Sequence, residues 1–152
     1  MRENWERLKV EHEGREGVFH DVPETLPALL LARKVQRRAA SVGFDYPDAG
    51  GALADLDDEL RELRAELPAE PVGEGEPDRA LASELGDVLF ACVNVARQLN
   101  VDPELALRQT SRRFVGRIEE AQRLAAEHGD DWPSLDLDSQ DRYYELAKDR
   151  VS

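Results

Sequence analysis

Six acidic positions in the middle of the sequence are spaced so that several of them could hold one cation. Asp55, Glu59, Glu62 and Glu66 follow one another at intervals of four, three and four. At about 100° per residue they form one stripe along a helix, with Asp58 just beyond it. Glu84 and Asp87 repeat the i, i+3 spacing of Glu59 and Glu62. Each pair lies on the same flank of an apolar seam. The first seam is Leu53, Leu56, Leu60, Leu63 and Leu67; the second is Leu81, Leu85, Val88, Leu89, Cys92 and Leu99. Asn94 lies on the acidic side of the second seam, two turns beyond Asp87. Packed antiparallel, two such helices would bring Glu59, Glu62, Glu84 and Asp87 face to face.

Gathered carboxylates repel, or take up protons. A divalent cation removes the conflict, and Mg²⁺ prefers hard oxygen ligands of this kind. Asp87 opens the run Asp87-Val88-Leu89-Phe90-Ala91-Cys92-Val93, which predicts a segment buried on most sides, where an unpaired carboxylate would be costly. Two plainer readings stand beside the metal. The stripe on the earlier helix could be a solvated face in a chain with 33 acidic residues, and Asp87 could pair with an arginine of another helix.

Arg113 and Arg117, one turn apart, flank an apolar face made by Leu107, Phe114, Ile118, Ala121 and Ala125. They could reach over a neighbouring groove and hold phosphate oxygens, as guanidinium does well, or simply pair with surplus acids. His12, His20 and His128 share no metal-ligand spacing and read as exposed or capping groups. Gly73-Glu74-Gly75 has no following lysine and is not a phosphate-binding loop. Trp5, Trp132 and Cys92 read as packing residues.

The elements that must position these groups are helical. Ala, Leu, Glu and Arg dominate, there is one isoleucine (Ile118), and no stretch alternates with period two. Five helices are predicted: Pro27–Ser41 with Thr25 as cap and Gly43 past its end; Ala49–Leu67; Asp78–Leu99 with Asn100 as C-terminal cap; a helix opened by Asp102 and Pro103 and closed before Gly129; and one from Asp138 or Ser139 to the C-terminus. Pro68 to Pro77 is a Pro-, Gly- and Glu-rich loop. Residues 1–24 read as an N-terminal arm or linker, and 25–152 as one all-α domain, a bundle of four to five helices. Its 152 residues carry a net charge of −13, which disfavours nucleic acid as a partner. No apolar run approaches the ~20 residues of a membrane span, and the first residues lack a signal-peptide core. A lone cysteine forms no internal disulfide and suits a cytoplasmic setting.

Glu59-Leu60-Arg61-Glu62, followed after a loop by Glu84-Leu85-Gly86-Asp87, resembles the E-E-x-x-E … E-x-x-D signature of the MazG family of all-α nucleoside triphosphate pyrophosphohydrolases. Leu26-Pro27-Ala28-Leu29, Ala32-Arg33-Lys34-Val35-Gln36, Val42-Gly43-Phe44-Asp45, Gly86-Asp87-Val88-Leu89-Phe90 and Val93-Asn94-Val95-Ala96-Arg97 are similar to stretches of that family's C-terminal domain, over residues 21–150. Glu3-Asn4-Trp5-Glu6 resembles the stretch joining two domains in longer members, so the chain would be a natural short form or a fragment. The resemblance implies a homodimer that binds two or three Mg²⁺ ions, with Mn²⁺ as an alternative, and splits ribo- and deoxyribonucleoside triphosphates into monophosphate and pyrophosphate. The metal ligands would be Glu59, Glu62, Glu84 and Asp87, with Glu59 or Glu62 also taking the proton from water. Arg113 and Arg117 match a basic pair on the triphosphate, Asn94 a substrate contact, and Tyr144 an aromatic position that stacks on the base. Asp58 stands in place of the signature's first Glu, and Ser111 in place of a frequent Asn. Asp55 stands where many members have a lysine near the phosphates, for which Lys34 is a substitute. Two rivals remain: a relative specific for dUTP, dCTP or phosphoribosyl-ATP, and a non-catalytic helical dimerisation module.

Overall fold

The computed structural model describes residues 17–69, 73, 75 and 78–151. Trp5, His12, Glu74 and most of the expected N-terminal arm lie outside the described residues. The described secondary structure is entirely helical: α1 (Ala28–Ser41), α2 (Ala49–Ala65), α3 (Arg79–Gln98), α4 (Pro103–Glu127), a 3₁₀ turn at Trp132–Ser134, and α5 (Leu137–Lys148). The all-α expectation holds, and the helix bounds fall within a few residues of those predicted. No helix is long and apolar enough to cross a membrane.

The helix ends follow local chemistry. Asp48 accepts the Gly51 N–H at 3.0 Å and caps α2. Asp78 does the same for α3 through Ala80, at 2.8 Å. Asp136 caps α5 through Ser139, one residue or more ahead of the predicted start. Thr25 is not the cap of α1: Pro27 occupies that position, with no side-chain hydrogen bond. Proline's fixed φ and missing N–H open the helix without one. Past the far ends, Gly43 and Asn100 take left-handed backbone, with φ of 93° and 56°. Glycine and asparagine adopt that conformation at least cost, which ends α1 and α3 where the sequence places them.

Two compact units divide the chain, one ending at Glu104 and the other beginning at Leu105. In the first, α2 and α3 form an antiparallel hairpin. Its open end, opposite the connecting loop, is latched by Asp45, just before α2, which receives the Arg97 guanidinium from the end of α3; Gln98 Nε2 adds bonds to Asp45 Oδ1 at 3.0 Å and the Tyr46 carbonyl at 3.1 Å. α1 is tied to α3 by Gln36 Nε2 donating to the Phe90 carbonyl at 2.8 Å, and Arg33 reaches Asp102 at 3.0 Å. Ala52, Val88, Ala91 and Val93 are buried here. Small side chains along the hairpin let the two backbones approach closely, which positions longer side chains further along.

The second unit packs Ala121, Leu124 and Ala147 beneath Trp132 and Tyr143. Trp132 is the packing residue expected of it. His128 Nδ1 lies 2.8 Å from the Leu124 carbonyl, at the end of α4, and His20 Nδ1 2.8 Å from the Gly17 carbonyl, so both do local capping work.

Three expectations about burial are corrected. The seam residues Leu85, Leu89 and Cys92 are exposed, as are Leu53 and Leu67. Cys92 is therefore not a core residue, and Asp87 is exposed although apolar residues follow it. The cause is which face α3 turns inward. Val88, Ala91 and Asn94, three apart, form the buried row, and the Leu85-Leu89-Cys92 row points away from it. Periodicity located the stripe; it could not say which side other helices would cover.

Candidate metal centre

The inward rows of α2 and α3 continue toward the end of the hairpin where the loop joins them, and there they become acidic. Glu59 lies two turns along α2 from buried Ala52, and Glu84 lies one turn before Val88. One carboxylate oxygen from each of Glu59, Glu84 and Asp87 falls within 4.8 Å of the other two. Glu59 and Glu84 are half-buried and Asp87 is exposed, so the group opens to solvent on one side.

Partial burial, then the charges of Glu62, Asp87, Asp55 and Glu84, push the Glu59 pKa above the usual carboxylate range. Partial burial, followed by Glu62, Asp87 and Glu66, does the same to Glu84. Among the described residues, no lysine or arginine forms an ion pair with Glu59, Glu62, Glu84 or Asp87. The arginine partner weighed for Asp87 is not found among the described residues. Hard oxygens at this separation suit a divalent ion, since two ligands about 2.1–2.5 Å from one ion lie at most roughly 4–5 Å apart. The donor set therefore fits Mg²⁺ or a similar oxygen-loving cation, and it would relieve the repulsion.

Glu62, also expected as a ligand, is exposed and outside the triad of converging oxygens, although its charge acts on Glu59 and Glu84. Asp58 pairs with Arg61 one turn on. Asp55 accepts a 2.6 Å hydrogen bond from the Tyr46 hydroxyl, which, with burial and charge, pushes that phenol up to about 12. The sequence reading did not find this contact, because it joins a loop residue to one nine positions on.

Of the remaining expected site residues, Asn94 and Lys34 belong to the first unit and Arg113, Arg117 and Tyr144 to the second. Asn94 is buried, and its Oδ1 accepts from Arg97 Nε at 3.0 Å and Nη2 at 2.7 Å. Lys34 donates to the Asp21 carbonyl at 3.2 Å. In the second unit, Arg113 bonds to Thr110 Oγ1 at 3.2 Å and Arg117 Nε to the Val151 carbonyl at 3.2 Å. Neither arginine forms an ion pair among the described residues. Tyr144 packs against Phe114 with ring centres 5.9 Å apart, and Lys148 Nζ lies 5.3 Å from its ring centre.

The protein is thus a helical one with a three-carboxylate group suited to a divalent metal, on an antiparallel hairpin. No protein-family model matches the chain. Curated relatives do. It is 36% identical over 146 residues to a Thermotoga maritima protein named nucleoside triphosphate pyrophosphohydrolase/pyrophosphatase MazG, covering 95% of this chain and 54% of that one. It is 33% identical over 147 residues to the nucleoside triphosphate pyrophosphohydrolase of Escherichia coli K12, with the same coverage of 95% and 54%. An uncharacterized Bacillus subtilis protein, YabN, is 35% identical over 148 residues, 96% of this chain and 29% of its own. These likenesses over 95% of the chain support the MazG family. The chain spans about half the length of the first two relatives.

Proposed function

We propose that this chain is a Mg²⁺-dependent nucleoside triphosphate pyrophosphohydrolase acting on ribo- and deoxyribonucleotides, a cytoplasmic housecleaner of nucleotide pools. The observation that carries the reading is the convergence of Glu59, Glu84 and Asp87 oxygens within 4.8 Å, without an ion-pair partner among the described residues, in a MazG-family sequence.

Glu59, Glu84 and Asp87 would hold the metal, with Glu62 completing the set. The bound cation would supply charge neutralisation, so that a protein of net charge −13 can take up a polyanion, and would polarise the phosphoryl oxygens. Water attacks one phosphorus in line, the bond to the leaving oxygen breaks, and monophosphate and pyrophosphate result. Glu62, outside the converging triad, is available to accept the proton of that water; Glu59 is the other choice. Arg113 and Arg117 would hold triphosphate oxygens, Tyr144 would stack on the base, and Asn94 would contact substrate through its amide nitrogen, since its oxygen is already engaged by Arg97.

The working form is a homodimer, which accounts for the exposed Leu85, Leu89 and Cys92 row on α3. Base specificity for dUTP, dCTP or phosphoribosyl-ATP is the second reading, and a non-catalytic module the third; the unpaired acid group favours neither over the broad enzyme. Pyrophosphate release from all eight common ribo- and deoxyribonucleoside triphosphates, with and without Mg²⁺, separates them. Mg²⁺-dependent release on many bases, lost in Asp87→Asn, supports the proposal; release on one base supports the narrow enzyme. A folded protein that releases none overturns catalysis.

A further inference from the structure

The chain is acidic, but four of its 20 basic residues fall within six positions: Arg33, Lys34, Arg37 and Arg38. All four, with Leu26 and Leu30, line a cavity of about 380 Å³ along α1. Leu30, Arg33 and Arg37 recur at intervals of three and four, so the helix itself sets them in one row, with Lys34 beside it and Leu26 just ahead of the helix.

The local charges do not cancel. Arg33 meets Asp102 and Arg38 meets Asp21. Lys34 meets only a backbone carbonyl, that of Asp21, and Arg37 has no hydrogen-bond or ion-pair partner among the described residues. Lys34 and Arg37 thus line the cavity with no ion-pair partner among the described residues. Arg33 Nε adds a buried donor with no acceptor. In a protein of net charge −13, a concentration of unneutralised guanidinium and ammonium marks a place for an anion rather than a solvated face. A cavity of this size also suits a small molecule.

We propose that this cavity binds a multiply charged phosphate, as pyrophosphate or as the phosphate of a nucleotide, directly and without a divalent cation. Lys34 and Arg37 supply the charge-assisted hydrogen bonds, and Leu26 and Leu30 form an apolar wall. This separates it chemically from the carboxylates of α2 and α3, which can meet phosphate only through a metal.

Calorimetric titration of the whole chain in excess EDTA tests the site without any need for catalysis. Inorganic pyrophosphate is one ligand and adenosine monophosphate the other; binding of either supports the site and identifies the source of its phosphate. Affinity should fall at least about tenfold in Lys34→Ala/Arg37→Ala, since each lost charge-assisted bond is worth roughly that factor. Should the double variant fail to fold, the single Arg37→Gln, at an exposed position, should still weaken binding severalfold. Arg112→Ala, which removes one positive charge elsewhere, should leave binding unchanged. Absence of metal-free binding overturns the proposal, as does an equal loss in Arg112→Ala or no loss in the Lys34/Arg37 variants.

Discussion

Glu84 contributes one of three converging oxygens, and its pKa is raised by partial burial and by the neighbouring charges of Glu62, Asp87 and Glu66. Glu84→Gln removes that negative ligand at nearly constant shape. It should weaken Mg²⁺ activation more than about tenfold, since even outer-shell changes cost 10–100-fold. A Mg²⁺ titration of hydrolysis reads this directly, and an unchanged midpoint would remove Glu84 from the metal set. In the second unit, Glu120 behaves in the opposite way. Hydrogen bonds from Arg123 and then Arg150 hold its carboxyl down at about 2, against an ordinary 4.5. A depressed pKa contributes stability that is complete above about 4.5 and is lost as pH falls toward 2. Urea midpoints followed over that window should fall more steeply for the native chain than for Glu120→Gln.

At the level of the helices, the hairpin is aligned at its open end, opposite the connecting loop. Arg97 joins Asp45 to the buried Asn94 oxygen, so one side chain fixes the start of α2 against the end of α3. Arg97→Ala would leave Asp45 without its cation and Asn94 Oδ1 buried without a donor. A loss of about 2–4 kcal/mol is expected in chemical denaturation. Metal affinity should drop as well, because the three carboxylates meet only if the two helices keep their register. The sequence showed the helices well: their ends follow from Asp48, Asp78, Gly43 and Asn100 acting on adjacent backbone. It did not show the latch, since Asp45 and Arg97 are separated by half a unit of chain and neither belongs to a local pattern.

At the scale of the whole molecule, the exposed leucines of α3 and the acid group make two demands on the surroundings. A second copy covering the Leu85-Leu89-Cys92 row would bury apolar surface worth roughly 25 cal/mol per Å². Leu89→Glu should then shift sedimentation from dimer to monomer, whereas a native chain that already sediments as a monomer rules out that cover. A divalent ion bound to the folded chain alone raises stability by about 2.7 kcal/mol at a hundredfold excess over its dissociation constant. Mg²⁺ should therefore raise the melting temperature of the native chain by several degrees, and that of Asp87→Asn by much less.

The helical class, the approximate helix bounds and the matched spacing of Glu59-Glu62 and Glu84-Asp87 were legible from the residues, because capping, propensity and angular position are properties of a few adjacent positions. Tertiary structure decided which groups meet. It drew Glu59, Glu84 and Asp87 together while leaving Glu62 outside, turned Val88, Ala91 and Asn94 inward, and left Leu85, Leu89 and Cys92 facing out. A repeating pattern specifies that a face exists; only the packing of one helix on another specifies what that face touches.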